Sequence, residues 1–228
     1  MRFGLLALLA ALSACSQEST GPAPGTTAPP PAGVSPTPEF PTPVAHTAIV
    51  FIGDSITAGW NFPPGTNIVN AGVSGDLSEQ MLARFDRDVM SHHPAIVSIL
   101  AGTNDARSYI DPSIEAIAEM ADWAASSGAC VIIGTTPPNS VWGVNGITAQ
   151  MGNRNMVILN GRLKLLAASF GYFIADYRPA LALPDGSIDD SLYVDGIHPN
   201  DSGHDKMWQV VEPPITRCKL RLGLTDDS

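Results

Sequence analysis

The chain has 228 residues, with 12 Lys or Arg against 22 Asp or Glu, which gives a formal net charge of −10 and an isoelectric point near 4.7. This acidic balance argues against nucleic-acid binding, which requires clustered positive charge. Hydrophobic residues make up 44% of the chain, enough for one substantial core, so disorder along the whole chain is excluded. The three cysteines include no Cys-x-x-Cys pair and are too few for a disulfide-rich scaffold.

The first 14 residues, MRFGLLALLAALSA, are typical of a secretory signal peptide. Arg2 provides an early positive charge, and the apolar run that follows is too short to span a bilayer. The sequence LSAC, ending at Cys15, resembles the bacterial lipobox. That resemblance implies lipidation of Cys15 and a location in the bacterial cell envelope, with membrane association through this lipid only. Because Ser16 follows, it implies the outer membrane in a Gram-negative cell. An ordinary secretory signal with an unrelated cysteine is the alternative.

A proline-rich segment separates this signal from the rest of the chain. Residues 16–45 contain nine of the twenty prolines and five threonines, but few large apolar groups. Such a composition predicts a semi-rigid, extended spacer of about 3.1 Å per residue. We therefore divide the chain into a signal peptide at 1–14, a lipidated cysteine and linker at 15–45, a folded domain at 46–215 and a C-terminal tail at 216–228.

Short apolar runs alternate with helical patterns throughout the folded domain. This alternation is typical of a parallel sheet with helices on both faces, so we predict a flavodoxin-like, three-layer α/β/α sandwich with a five-stranded parallel sheet. Strands are predicted near Thr47–Ile52, Asn67–Asn70, Ala95–Ala101, Ala129–Gly134 and Tyr172–Asp176. Helices are predicted from about Asp76 to Ser91, from an N-cap at Asp111 to Gly128, from about Asn153 to Ser169, and from near Asn200.

Ligand crevices in such sheets lie beyond the carboxyl ends of the strands, and the first strand ends at a candidate nucleophile. Ser55 follows it within Gly-Asp-Ser-Ile. A hydroxyl there can face the crevice, although a serine in this place is also typical of a turn or a helix N-cap. The pattern of a nucleotide-binding Walker loop is absent from this segment.

A candidate base lies near the other end of the domain, in Asp195-Gly-Ile-His198-Pro. A carboxylate three residues before an imidazole can bond to one ring nitrogen and leave the other free to take a proton. A turn that merely precedes the last helix is the alternative for this segment.

Two further segments offer hydrogen-bond donors after strands. Asn104 lies in Gly-Thr-Asn-Asp, and Gly72 lies in Asn-Ala-Gly. A side-chain amide and a closely approaching backbone N–H can together hold a developing negative oxygen. Each segment taken alone is also typical of an ordinary turn.

These four motifs, in this order, resemble those of the SGNH, or GDSL, hydrolase family, over about Ile49 to Met207. One departure is Ile56, where the family name has leucine. The resemblance implies that Ser55 is the nucleophile, His198 the base and Asp195 its orienting carboxylate. It also implies an oxyanion hole formed by Ser55, Gly72 and Asn104, and no cofactor.

Other residues allow competing interpretations. Asp195, His198, Asp201, His204 and Asp205 lie close enough in sequence to suggest a metal site, but their spacing matches no compact ligand motif, and His204 with Asp205 is expected on a helix surface. Trp60 and Trp142 could line a substrate subsite or simply pack. Cys130 and Cys218 could form a disulfide, or Cys130 could be a buried free thiol.

The residues and the resemblance together predict a serine esterase that hydrolyses small to medium acyl esters through an acyl-enzyme. The expected partner is a small-molecule or glycan ester. Deacylation of carbohydrates or small esters is favoured, because the acidic chain disfavours anionic lipid surfaces and an envelope anchor makes such esters accessible. A lysophospholipase or thioesterase of the same family, and a noncatalytic envelope carbohydrate-binding lipoprotein, are the alternatives.

Overall fold

A single parallel sheet organises the computed structural model, which describes residues 47–107, 110–140 and 148–224. The strand order is β2-β1-β3-β4-β5, and every neighbouring pair is parallel. The predicted fold class is therefore confirmed. The strands are β1 (Ile49–Gly53), β2 (Ile68–Gly72), β3 (Ile96–Leu100), β4 (Cys130–Gly134) and β5 (Phe173–Ala175).

Helices follow the strands along the described chain. The α-helices are α1 (Ser55–Ala58), α2 (Ser78–Ala83), α3 (Phe85–Asp88), α4 (Asp111–Ser126), α5 (Ala149–Phe170), α6 (Tyr177–Ala180) and α7 (Asp201–Leu222). Short 3-10 turns cover Met90–His92, Asp105–Arg107 and Asp190–Leu192. None of the helices in the described ranges combines the length and apolar content needed to cross a membrane.

The core lies on both faces of the sheet because both faces of its strands are apolar. Val50 and Ile52 of β1 pack on the side of α2, α3, α4 and α5. Ile49 and Phe51, which alternate with them, pack on the side of α6 and α7. Successive side chains of a strand point to opposite faces, so a continuous apolar run such as β1 requires cover on both sides.

The helix predicted from Asp76 to Ser91 is instead divided into α2, α3 and a 3-10 turn. Arg84 lies at the break, with a non-helical φ of −107°. Its guanidinium donates to Ala71 O at 2.8 Å and to Gly53 O at 3.1 Å. These bonds to the strand ends accompany the break. Met81 of α2 and Phe85 of α3 both pack in the core despite it.

The longer helices begin or end at residues other than those predicted, and the residues that cap them differ accordingly. Ile110 takes the cap of α4 and Asp111 is its first helical residue. Helix α5 begins earlier than predicted because Thr148 caps it by accepting the Met151 N–H. Helix α7, capped by Asn200, runs to Leu222, so most of the segment predicted as a C-terminal tail from residue 216 belongs to this helix.

A disulfide joins Cys130 of β4 to Cys218 of α7, with a Cα–Cα distance of 5.6 Å. Both residues are buried. Of the two alternatives left open by the sequence, the structure therefore has the bonded one.

Candidate active site

Ser55 is presented by a sharp turn from β1 into α1. Asp54 caps this helix by accepting the Ile56 N–H at 2.9 Å, and Ser55 is its first residue. A Cβ added to Gly53 would lie 2.0 Å from Thr57 Oγ1, so a side chain at this position would push the turn open. The glycine thus allows the serine to sit directly above the end of the strand.

Asp195 and His198 share a loop that is shaped by its own hydrogen bonds. Asp195 Oδ1 accepts the Ile197 N–H at 3.0 Å and the His198 N–H at 2.9 Å. Val194 N–H donates to His198 O at 2.9 Å, and Gly196 has a φ of +80°, which favours glycine. The loop therefore sets the imidazole beside the carboxylate before any ligand is bound.

The serine, the imidazole and the carboxylate form one hydrogen-bonded chain. His198 Nδ1 lies 2.7 Å from Asp195 Oδ2, and His198 Nε2 lies 2.9 Å from Ser55 Oγ. The second contact joins residues 143 positions apart in the sequence. In this geometry the imidazole can accept the hydroxyl proton while the carboxylate stabilises the imidazolium that results.

The environment of the Asp195 carboxylate favours its charged form. Partial desolvation raises the pKa of Asp195, but hydrogen bonds from the His198 N–H, the His198 ring and the Ile197 N–H outweigh it and lower the pKa to about 2. Asp195 is therefore ionised at any pH at which an imidazole titrates. Its negative charge favours the His198 tautomer that donates through Nδ1 and accepts through Nε2.

Asn104 lies in the segment that follows the end of β3 at Leu100. Its Nδ2 donates to Asp76 O at 3.0 Å, which fixes the amide plane. A side-chain amide has two N–H groups, so this bond leaves a second donor. Asn104, Ser55 and His198 line the same cleft, as the sequence predicts for a hydrogen-bond donor to the substrate.

The prediction that Gly72 contributes a donor to this cleft is wrong. Its N–H donates to Asn70 Oδ1 at 2.9 Å, and Gly72 lines a different depression of the surface. A Cβ at Gly72 would lie 2.2 Å from Ala58 N. The glycine is therefore required for close packing of β2 against α1.

Gly75, three residues further on, lines the cleft in its place. It has a φ of +86° in the turn that leads to α2, a conformation that favours glycine. The Ser-Gly-Asp segment that contains it is a turn signal that sequence reasoning passed over.

The cleft is open and has a volume of about 400 Å³. Leu77 and Ile197 supply its apolar surface, and Gln80 and Arg107 supply polar groups beyond the residues already described. It is therefore large enough for a small acyl or alcohol group next to Ser55.

Arg84 was not identified from the sequence as a site residue, although it is linked to Asn104 of the cleft through Asp76. Besides its bonds to the ends of β1 and β2, its Nε donates to Asp76 Oδ2 at 2.6 Å. Asp76 O in turn accepts from Asn104. The position of Arg84 within an apolar helical pattern could have indicated this role, because a charged side chain that is buried needs polar partners.

Asp54 and Asp105 bring two carboxyl groups together beneath the serine. Asp54 is fully buried, and burial raises its pKa to about 6, with a further contribution from the charge of Asp105 against the lowering effect of the Ile56 N–H. Asp105 accepts from the N–H and the Oγ of Ser78. The Asp54 side chain is therefore partly protonated near neutral pH.

Several other residues singled out in the sequence lie elsewhere. Trp60 is 3% exposed and stacks on His204 with ring centroids 5.4 Å apart, so it is core packing and does not line the cleft. The expectation that His204 lies on a helix surface is wrong, because it is buried with Nε2 3.3 Å from Ile56 O. Trp142 lies outside the described residues.

The described residues include no group of three His, Cys, Asp or Glu side chains arranged to hold a metal ion. Asp195 and His198 bond to each other, and His204 bonds toward α1.

Comparison with known proteins agrees with this geometry. Residues 51–206 match the model of the GDSL-like lipase/acylhydrolase family. A GDSL-like lipase from Bacteroides thetaiotaomicron has 27% identity and a TM-score of 0.70, over 75% of this chain and 88% of its own. A proposed acylhydrolase from Bacteroides fragilis has 29% identity and a TM-score of 0.69, over 75% and 87%.

A more distant structure, an acetylxylan esterase from Geobacillus stearothermophilus, shares the fold at 20% identity with a TM-score of 0.60, over 74% of this chain and 94% of its own. No curated protein matches the chain. The family model covers most of the sequence, and all four motifs lie within it. The chain therefore belongs to the GDSL-like lipase/acylhydrolase family.

Proposed function

We propose that this protein is a serine esterase that hydrolyses carboxylic esters of small to medium acyl groups through an acyl-enzyme. The observation that carries the proposal is the hydrogen-bonded chain from Ser55 Oγ through His198 to Asp195. A neutral hydroxyl is a weak nucleophile, and a base within hydrogen-bonding distance is the feature that activates it.

In the proposed reaction, His198 Nε2 takes the Ser55 proton as Oγ bonds to the ester carbonyl carbon. The carbonyl π electrons move to oxygen, and the resulting oxyanion is held by N–H donors that face the cleft. We assign these donors to the backbone of Ser55 and Gly75 and the side chain of Asn104. Collapse of the intermediate breaks the bond to the alcohol, which leaves with the proton from His198. Water, deprotonated by the same imidazole, then releases the acid and restores Ser55.

The size and lining of the cleft support small substrates. Its volume of about 400 Å³ and its mixed polar and apolar lining suit a short acyl chain more than a long one. Within this range we favour deacylation of carbohydrates or small esters over cleavage of lysophospholipids or thioesters.

Hydrolysis of 4-nitrophenyl acetate by the wild-type protein and by Ser55→Ala tests the proposal. We expect turnover in the wild type and its loss in the variant, while Ser169→Ala, an exposed serine of α5, retains wild-type activity. A fluorophosphonate should label the wild-type protein at Ser55 only. Equal turnover by Ser55→Ala and the wild type would contradict Ser55 as the nucleophile. No turnover by either protein would leave a noncatalytic carbohydrate-binding lipoprotein as the better interpretation.

We further propose that the protein is exported and anchored in the bacterial envelope by a lipid on Cys15, with residues 16–45 as spacer. These residues lie outside the described structure. The Cys130–Cys218 disulfide supports export, because disulfides persist mainly in oxidising compartments. Radiolabelled fatty acid should enter the wild-type protein and not Cys15→Ala, and equal labelling of both would contradict the anchor.

A further inference from the structure

Arg107 lies in the wall of the cleft, in the same turn as Asn104. The Asp105–Arg107 turn follows β3, and Arg107 N–H donates to Asn104 O at 3.4 Å. Both residues line the cleft together with Ser55 and His198. A group on a substrate held at Ser55 is therefore within the space that the arginine borders.

The turn that carries Arg107 is fixed from two sides. On one side, Asp105 accepts from the backbone and side chain of Ser78 at the start of α2. On the other, Asn155 of α5 donates to Ala106 O at 2.9 Å, and Ala106 is fully buried. The backbone of the turn is thus held in place, whereas the Arg107 side chain is exposed. Because the backbone of the turn is held in place, the guanidinium that extends from it has a defined position in the cleft.

Arg107 sets the charge of the cleft. Among the described residues that line it, Arg107 is the one with a permanent charge, and none of the lining residues is an aspartate or glutamate. This stands against a formal net charge of −10 for the whole chain. Asp195 contributes its carboxylate behind the imidazole, where His198 bonds to it. The surface that meets a substrate therefore favours negative charge.

We propose, on the basis of the esterase function proposed above, that Arg107 is a specificity-determining residue that selects esters bearing a carboxylate or a similar anion. A guanidinium has five N–H donors in a planar fork that matches a carboxylate, so it can bond within the protein and still bind a ligand. The anion can belong to the acyl group or to the alcohol, since both leave Ser55 through the same cleft.

Two matched pairs of substrates separate these positions. For the acyl group, 4-nitrophenyl hydrogen adipate is compared with 4-nitrophenyl hexanoate, which has a methyl group where adipate has a carboxylate. For the alcohol, 4-acetoxybenzoate is compared with 4-acetoxybenzamide. The measured quantity is the ratio of kcat/KM for the anionic ester to that for its neutral partner.

We expect the wild-type protein to prefer the anionic ester in at least one pair. Arg107→Gln should lower that ratio roughly 10- to 100-fold, the range for losing a hydrogen bond to a charged group, mainly through KM. Arg107→Lys should keep part of the preference, because it retains the charge but not the planar fork. High salt should weaken the preference in the wild type.

Arg217→Gln is the matched control, because it makes the same change in net charge on an exposed part of α7, about 24 Å along the helix from Asp201. It should leave both ratios unchanged. The proposal is overturned if the wild type prefers the neutral ester in both pairs, if Arg107→Gln leaves both ratios unchanged, or if Arg217→Gln lowers them equally. Wild-type hydrolysis of the neutral esters, dependent on Ser55, tests the esterase function separately from these ratios.

Discussion

At the scale of single residues, the site depends on a few short contacts around Ser55. His198 Nε2 lies 2.9 Å from its oxygen, and Asn104 is fixed beside it by a bond to Asp76 O. The glycine that borders the cleft is Gly75, while Gly72 serves packing. Some of these contacts stabilise the transition state and others stabilise the local fold. Kinetic and stability measurements on single substitutions distinguish the two roles.

Substitution of Asn104 by alanine removes one proposed donor to the oxyanion. Loss of such a donor typically costs a factor of about 100 to 1,000 in kcat, and we expect that loss with little change in KM, because the oxyanion forms only in the transition state. Steady-state kinetics on a 4-nitrophenyl ester measures both constants. Unchanged kcat in a folded Asn104→Ala protein would remove this residue from the oxyanion hole.

Substitution of Asp54 by asparagine should stabilise the fold above neutral pH. The pKa of Asp54 is raised from 3.8 to about 6 in the folded chain, so its contribution to stability is fully present below about pH 4 and is lost as the pH rises through 6. Asparagine keeps the oxygen that caps α1 and carries no charge at any pH. We expect Asp54→Asn to raise the free energy of unfolding at pH 8 by on the order of 2 to 3 kcal/mol.

Urea denaturation at pH 4 and pH 8 measures this difference, with the exposed Asp86→Asn as control. The gain should be small at pH 4 and absent from the control at both pH values. A gain of equal size at pH 4 and pH 8 would show that ionisation of Asp54 is not its cause.

At the scale of elements, α1 packs closely against the ends of β1 and β2. The last residue of each strand, Gly53 or Gly72, has no room for a Cβ there. Arg84 joins both strand ends to the loop that holds Asp76, and the break between α2 and α3 allows it to do so. The periodicity of the sequence predicted one continuous helix there, because it reports which residues face the core and not where the backbone bends. The position of Ser55 depends on this packing.

Gly72→Ala tests that packing. The added Cβ would lie 2.2 Å from Ala58 N, a backbone atom that cannot move without displacing α1. We expect a loss of about 1 to 3 kcal/mol in the free energy of unfolding, as for other overpacked sites, together with lower activity.

Gly161→Ala is the matched control, since Gly161 lies within α5 and a Cβ there meets nothing within 4 Å. It should gain up to about 1 kcal/mol, because alanine has the higher helix propensity. Equal stability of Gly72→Ala and the wild type would contradict the close contact.

At the scale of the whole molecule, the Cys130–Cys218 disulfide connects β4 of the sheet to the last helix, α7. The two cysteines are 88 positions apart, so the bond closes a large part of the domain into one loop. Cross-linking over a long loop restricts the unfolded chain more than the folded one. Helix α7 also contributes His204, which bonds to Ile56 O in the element that carries Ser55.

Removal of this disulfide should destabilise the domain. We expect the double variant Cys130→Ala with Cys218→Ala to lose about 2 to 4 kcal/mol in the free energy of unfolding. Denaturation with and without reductant measures the effect. Reductant should weaken the wild type and leave the double variant unchanged, whereas a wild type equally stable with and without reductant would contradict a stabilising bond.

The sequence alone predicts the fold class, the approximate positions of the strands and four of the five site residues that the structure brings together, namely Ser55, Asn104, Asp195 and His198. Apolar periodicity and turn residues are local properties, and parallel strands bring their carboxyl ends to one edge of the sheet. The tertiary structure decided the choice of Gly75 over Gly72, the burial of Trp60 and His204, the disulfide and the place of Arg107 in the cleft. These depend on distances between segments far apart in the chain, which are set by how the two faces of the sheet are packed.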